Sequence, residues 1–150
     1  MNITEARIAG WREWLALPKL GILQIKAKLD TGARTSVLHA FDLESFRRGG
    51  EEWVRFNIHP SQRDDTVSVT CEAPVIDRRE VMNSGGHREP RIFIETEVRL
   101  GDDQWTIEIS LTNRDEMGFR MLLGRSAMKS RIIVDPMGSY RLGKKKRPAK

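Results

Sequence analysis

At 150 residues, with 39% apolar and 31% charged residues, the chain fits one soluble globular domain with a real core. No apolar run approaches a membrane span, no signal-peptide core opens the sequence, and a lone cysteine, Cys71, excludes an internal disulfide; the cytoplasm is the expected compartment. The net charge of +5 is uneven, because Lys144, Lys145, Lys146, Arg147 and Lys150 crowd the last seven residues. That composition divides the chain into an expected domain over 1–143 and a disordered basic tail over 144–150. The tail reads as a solvated end or as a contact for nucleic acid or an acidic partner. It has no interleaved aromatics, so nucleic acid is not an expected partner.

In chain order, residues 4–17 fit a short helix or turn around Trp11 and Trp14, ended by Pro18. Residues 22–29 alternate apolar with charged or polar side chains, as a half-buried strand does. They run into Asp30-Thr31-Gly32-Ala33, where Gly32 lets the backbone approach another backbone and Thr31 offers a hydroxyl to a neighbouring turn. An Asp placed there is either an ordinary turn former or one half of a catalytic carboxylate pair. Residues 40–48 fit a short helix ending at Gly49-Gly50.

Strand signals follow at 53–59, 67–75, 91–100, 105–111 and 132–135, with Gly101-Asp102-Asp103 as a hairpin turn. Residues 77–91 are dense in turn formers and charges, including Asn83, Ser84, Gly85, Gly86 and His87. They read as the tip of a long hairpin, a mobile surface loop or something with a function. Residues 123–128 are the expected helix near the end. Many short strands at close spacing predict an all-β fold, a small closed or orthogonally packed barrel with one or two short helices. Trp11, Trp14, Trp53 and Trp105 read as core or interface aromatics, and Cys71 as buried and inert.

Asp30-Thr31-Gly32-Ala33 early in the chain and Leu122-Leu123-Gly124-Arg125 late in it resemble the paired signature of retropepsin-like aspartic proteases. The resemblance narrows when the stretch from Lys28 to Ala40 is read with Arg79-Glu80-Val81, Ser84-Gly85 and Glu89-Pro90-Arg91. In this order they are similar to a bacterial family labelled ATP-dependent zinc protease, associated with ATP-grasp glutamate ligases of the ribosomal-protein-modifying type. The resemblance implies an acid-protease barrel in which Leu122, Leu123 and Gly124 run behind the catalytic turn and support it. It also makes the hairpin tip, with Ser84, Gly85 and Gly86, a flap that folds over substrate.

Peptide hydrolysis by carboxylates needs two that share one proton, one as base toward water and the other polarising the scissile carbonyl. This chain has one Asp-Thr-Gly, so catalysis by Asp30, Thr31 and Gly32 requires a twofold homodimer. Ala33, Arg34 and Arg125 join the flap residues as candidate substrate-binding groups.

Arg34 departs from the retroviral pattern, in which an acid follows Asp-Thr-Gly-Ala and pairs with the Arg of Gly-Arg. Two readings stand open. An internal carboxylate, Glu13, Asp115 or Glu116, balances Arg34 and Arg125, or the two arginines bind an acidic, glutamate-rich peptide. His39, His59 and His87 lie far apart in sequence, and no phosphate-binding Gly-rich motif is present. Neither zinc nor ATP is expected as a cofactor, whatever the family label. A peptide or protein substrate and a glutamate ligase or ribosomal protein are the expected partners, with no membrane. A non-catalytic binding module on the same fold is the alternative.

Overall fold

The computed structural model describes residues 6–60, 67–82, 85–113 and 118–143. The expected tail over 144–150 lies outside them, as do Ser84, Asp115 and Glu116. Ten strands follow in order: β1 (Arg7–Leu17), β2 (Ile22–Asp30), β3 (Ser36–His39), β4 (Phe41–Arg48), β5 (Glu51–Ile58), β6 (Val69–Met82), β7 (Arg88–Leu100), β8 (Asp103–Thr112), β9 (Met121–Gly124) and β10 (Ile132–Ser139). One helical turn, α1 (Arg125–Met128), separates the last two.

The strands hydrogen-bond in the order β10-β1-β2-β9-β3-β8-β7-β6-β5-β4, and a further β1–β7 pairing through Ala16 and Arg99 closes six of them into a barrel. The all-β barrel expected from the strand spacing is therefore present, with β6, β5 and β4 as a sheet extending beyond it. The ends of the strand order are β10 and β4, which remain edges beside the closed barrel.

Three expectations of helix are corrected. Residues 7–17 are a strand whose alternate residues Glu13, Leu15 and Leu17 point inward; only Pro18–Leu20 turns, as a single 3-10 element closed by Gly21. The helix expected over 40–48 is strand β4, joined to β5 by a two-residue turn in which Gly49 and Gly50 both take positive φ, 60° and 81°. That conformation suits a hairpin connection rather than a helix end. The helix expected over 123–128 shrinks to α1, since Leu123 and Gly124 are still strand.

The core joins barrel and extension: Leu17, Ile22, Ile25, Leu38, Ile94, Ile109 and Leu123 are fully buried, and Val54, Phe56 and Ile58 from β5 continue the same cluster. Each such side chain contributes about 1.5–3 kcal/mol by burial. Cys71 is buried as expected; its thiol donates to the Leu20 carbonyl at 3.4 Å, and desolvation pushes its pKa up to about 11. Among the described residues no helix is long and apolar enough to cross a membrane.

Candidate active site

Asp30 ends β2 where that strand lies parallel to β9, with Gly124 as its register partner. The chain enters β9 far downstream of β2, and β9 also pairs antiparallel with β3 through Val37↔Leu122 and Leu38↔Met121. Leu122, Leu123 and Gly124 are thus inserted between the strands before and after the Asp30 turn.

The turn is laced to that insertion by backbone groups. Gly32 N–H donates to Asp30 Oδ1 at 2.9 Å, the side-chain-to-backbone bond by which Asp favours turns. Ala33 N–H donates to the Asp30 carbonyl, Arg125 N–H to the Ala33 carbonyl at 2.7 Å and Ser126 N–H to the Arg34 carbonyl at 3.1 Å. The Arg125 guanidinium reaches the Thr31 carbonyl at 3.2 Å.

The close backbone approach anticipated at Gly32 occurs instead at Gly124. A Cβ there would lie 2.5 Å from the Thr35 carbonyl, whereas at Gly32 it would meet only Asp30 Oδ1, at 3.3 Å. Beneath the turn runs a buried polar chain. Gly124 N–H donates to Ser36 Oγ at 2.9 Å, Ser110 Oγ–H donates to the Ser36 carbonyl, and Arg91 Nη1 reaches Ser110 Oγ at 3.5 Å. Arg91, itself buried, is held by Glu89, one register pair back from the tip of the β6–β7 hairpin. A serine inside the apolar run from Ser36 to Ala40 was the available signal, since buried hydroxyls take hydrogen-bond partners.

The long β6–β7 hairpin expected around residues 77–91 is present, paired out to Met82↔Arg88, with Gly85 and Gly86 exposed at its tip. Between it and the Asp30 turn lies a cleft of about 1280 Å³ lined by Gly32, Ala33, Arg34, Val81, Leu122 and Trp105 among others. Its walls carry more cations than acids: Arg34, Arg79, Arg91, Lys129 and Arg131 against Glu80 and Glu108. Arg79 is neutralised by Asp77 and Glu108, and its hydrogen bond holds the Asp77 carboxyl below the usual range. Arg131 sits 5.1 Å over the buried Trp105 ring.

Glu13 does not balance Arg34 or Arg125. It is fully buried on the other side of β2, accepting N–H bonds from Gly10, Arg141, Leu142 and Gly143. Among the described residues neither arginine has an ion pair. His39 is buried at the end of β3, His59 stacks on Phe41 at 4.5 Å and His87 stands in the hairpin tip. No three His, Cys, Asp or Glu side chains converge among the described residues.

The model of the RimB-like retropepsin-like aspartic endopeptidases matches residues 8–145. The chain belongs to that family. The match takes in both the β2–β9 pairing and the long β6–β7 hairpin. The chain is also 50% identical over 137 residues to a probable alpha-L-glutamate ligase of Desulfotalea psychrophila, and 48% identical over 138 residues to one of Shewanella pealeana. These matches cover 91% and 92% of the chain, which spans about 30% of the length of each relative. The crystal structure of Lpg0085, a Legionella pneumophila protein of unknown function, superposes with a TM-score of 0.77 at 28% identity, covering 90% of this chain and 97% of that one.

Proposed function

We propose that this RimB-like chain hydrolyses peptide bonds in the bacterial cytoplasm through an aspartic dyad built from Asp30 of two copies in a homodimer. The observation that carries the reading is the anchoring of the Asp30 turn to Gly124–Ser126, which holds a half-buried carboxylate in the turn whose Gly32, Ala33 and Arg34 line a cleft with room for an extended peptide. One carboxylate cannot be both base and acid in the same step, so a second Asp30 is needed, and the two then titrate as one coupled pair. Thr31 of each turn would brace the other, and the hairpin tip would close over substrate bound as an added strand.

The cationic excess of Arg34, Lys129 and Arg131 supports an acidic or glutamate-rich peptide as substrate. Glu13 is excluded as the internal acid beside Arg34 and Arg125, while Asp115 and Glu116 lie outside the described residues; the substrate reading of the two arginines is part of the proposal.

The test is cleavage of a peptide library with wild type and Asp30→Asn, with solution mass measured for both. Cleavage that vanishes in an unchanged Asp30→Asn dimer supports the reading; a monomer at every concentration that cleaves peptide, or Asp30→Asn that still cleaves, defeats it. The second reading is a binding module acting with a glutamate ligase or a ribosomal protein. It is favoured by the ligase names of relatives three times longer than this chain. Absence of turnover between about pH 3 and 8, with a ligase captured by the chain, selects it.

A further inference from the structure

The β6–β7 hairpin and the Asp30 turn are joined by a run of bonded side chains across four neighbouring strands, β7, β8, β3 and β9. β8 pairs with β7 only from Ile92↔Leu111 onward, so residues 88–91 have β6 as their sole ladder partner among the described residues. A two-stranded ribbon is marginal on its own, and Pro90 brings no N–H to it. Arg91 stands where this free ribbon meets the three-stranded sheet.

Arg91 is buried although its register partner on β6, Arg79, is also an arginine. Like charges placed opposite each other are unfavourable in a sheet, and a buried guanidinium has to be paired. Both costs are offset separately. Arg79 takes Asp77 and Glu108, while Arg91 Nε donates to Glu89 at 2.9 Å, on the tip side of Pro90. Arg91 Nη1 reaches Ser110 Oγ on β8 at 3.5 Å.

An arginine can only donate, so the Ser110 hydroxyl directs its single hydrogen onward, to the Ser36 carbonyl at 3.2 Å. Ser36 Oγ accepts the Gly124 N–H at 2.9 Å, and Gly124 is the register partner of Asp30. Both serines are buried, where a polar group that loses its partner is costly. A displacement of Arg91 with the hairpin therefore disturbs a network that ends behind the Asp30 turn.

We propose that Arg91 is a positioning residue: through Ser110 and Ser36 it couples the seating of the hairpin to the alignment of the Asp30 turn. Substrate held beneath the hairpin as an added strand would thus steady the carboxylate that acts on it. Each of the three guanidinium nitrogens of Arg91 has a protein partner, so Arg91 acts through its neighbours rather than as a free cation for substrate. The kinetic consequence rests on the peptidase reading; the coupling itself does not.

Two measurements on the full chain test this. The first is hydrogen exchange without substrate in wild type and Arg91→Lys, which keeps the charge beside Glu89 and loses the guanidinium fork. The Gly124, Arg125 and Ser126 amides should exchange about tenfold faster, beyond any change at Leu15 and Ile25. The second is a double-mutant cycle on peptide turnover. Arg91→Lys and Ser110→Ala should each lower kcat about tenfold with KM within about twofold, and the double variant should be no slower than either alone.

Exchange unchanged at Gly124, or raised equally at Leu15 and Ile25, overturns the proposal, as does a double variant about a hundredfold slower than wild type. If Arg91→Lys does not fold, Ser110→Ala decides by exchange: it should speed the Glu89 and Gly124 amides together, and an effect at one end only overturns the coupling. A wild type that cleaves no peptide defeats the peptidase reading, and the exchange result alone then decides the coupling.

Discussion

The Arg125 guanidinium donates to the carbonyl of Thr31 at 3.2 Å, so a residue near the end of the chain steadies the turn that carries Asp30. The bond is exposed, and its contribution to global stability is small. Arg125→Ala is therefore expected to cost less than about 1 kcal/mol in urea unfolding. In the peptidase reading it should nonetheless lower kcat by about tenfold, because a loosened turn misplaces the carboxylate. Paired denaturation and single-turnover measurements check this.

Gly124 is the position where space, more than charge, limits substitution. Gly124→Ala drives a methyl group to 2.5 Å from the Thr35 carbonyl, against backbone that β3 and β9 hold in place. A loss of about 1–3 kcal/mol in unfolding free energy is expected, larger than for alanine at the more open Gly32.

Glu13 is a buried carboxylate with four backbone N–H donors and no cation beside it in the bonds it accepts. Glu13→Gln turns an amide NH₂ toward donors and leaves some of them unsatisfied. About 2–4 kcal/mol should be lost, and hydrogen exchange at Arg141, Leu142 and Gly143 should accelerate most.

Arg34 is exposed in the cleft and lacks an ion pair among the described residues. In the peptidase reading, Arg34→Glu should cut kcat/KM on a glutamate-rich peptide about tenfold relative to a neutral one, with the gap closing as salt rises. An unchanged preference would remove Arg34 from substrate binding.

Cys71 makes stability depend on alkaline pH. Burial raises its thiol pKa from about 9 to about 11, so above pH 9 the unfolded chain loses a proton that the folded chain keeps. Stability contributed by the protonated thiol is complete below pH 9 and declines as pH rises toward 11, by about 2 kcal/mol. Thermal melts of wild type and Cys71→Ala across that window should converge, and thiol labelling at pH 8 should be slow until the chain is unfolded.

Much of the barrel is legible in the linear chain because alternation is a local property. Residues 25–30 and 105–109 bury every second side chain, and the stretches 22–29 and 105–111 that contain most of them read as strands without reference to any partner. β1 is missed because its inward row includes Glu13, so the charged residue that Arg141, Leu142 and Gly143 satisfy breaks the apolar period. β4 is missed because its residues are largely exposed and carry little periodic signal on an edge strand.

By itself the sequence determined the strand-rich class, the Asp30 turn, the Leu122-Leu123-Gly124 motif and the absence of a second Asp-Thr-Gly, all properties of residue type and short spacing. Only the tertiary structure decided that β9 slides between β2 and β3, that Gly124 rather than Gly32 needs the missing Cβ, and that Ser110 links Arg91 to Ser36 beneath the Asp30 turn. Each of these depends on hydrogen bonds and contacts between residues far apart in the chain. Strand register sets those contacts, and no local pattern encodes it.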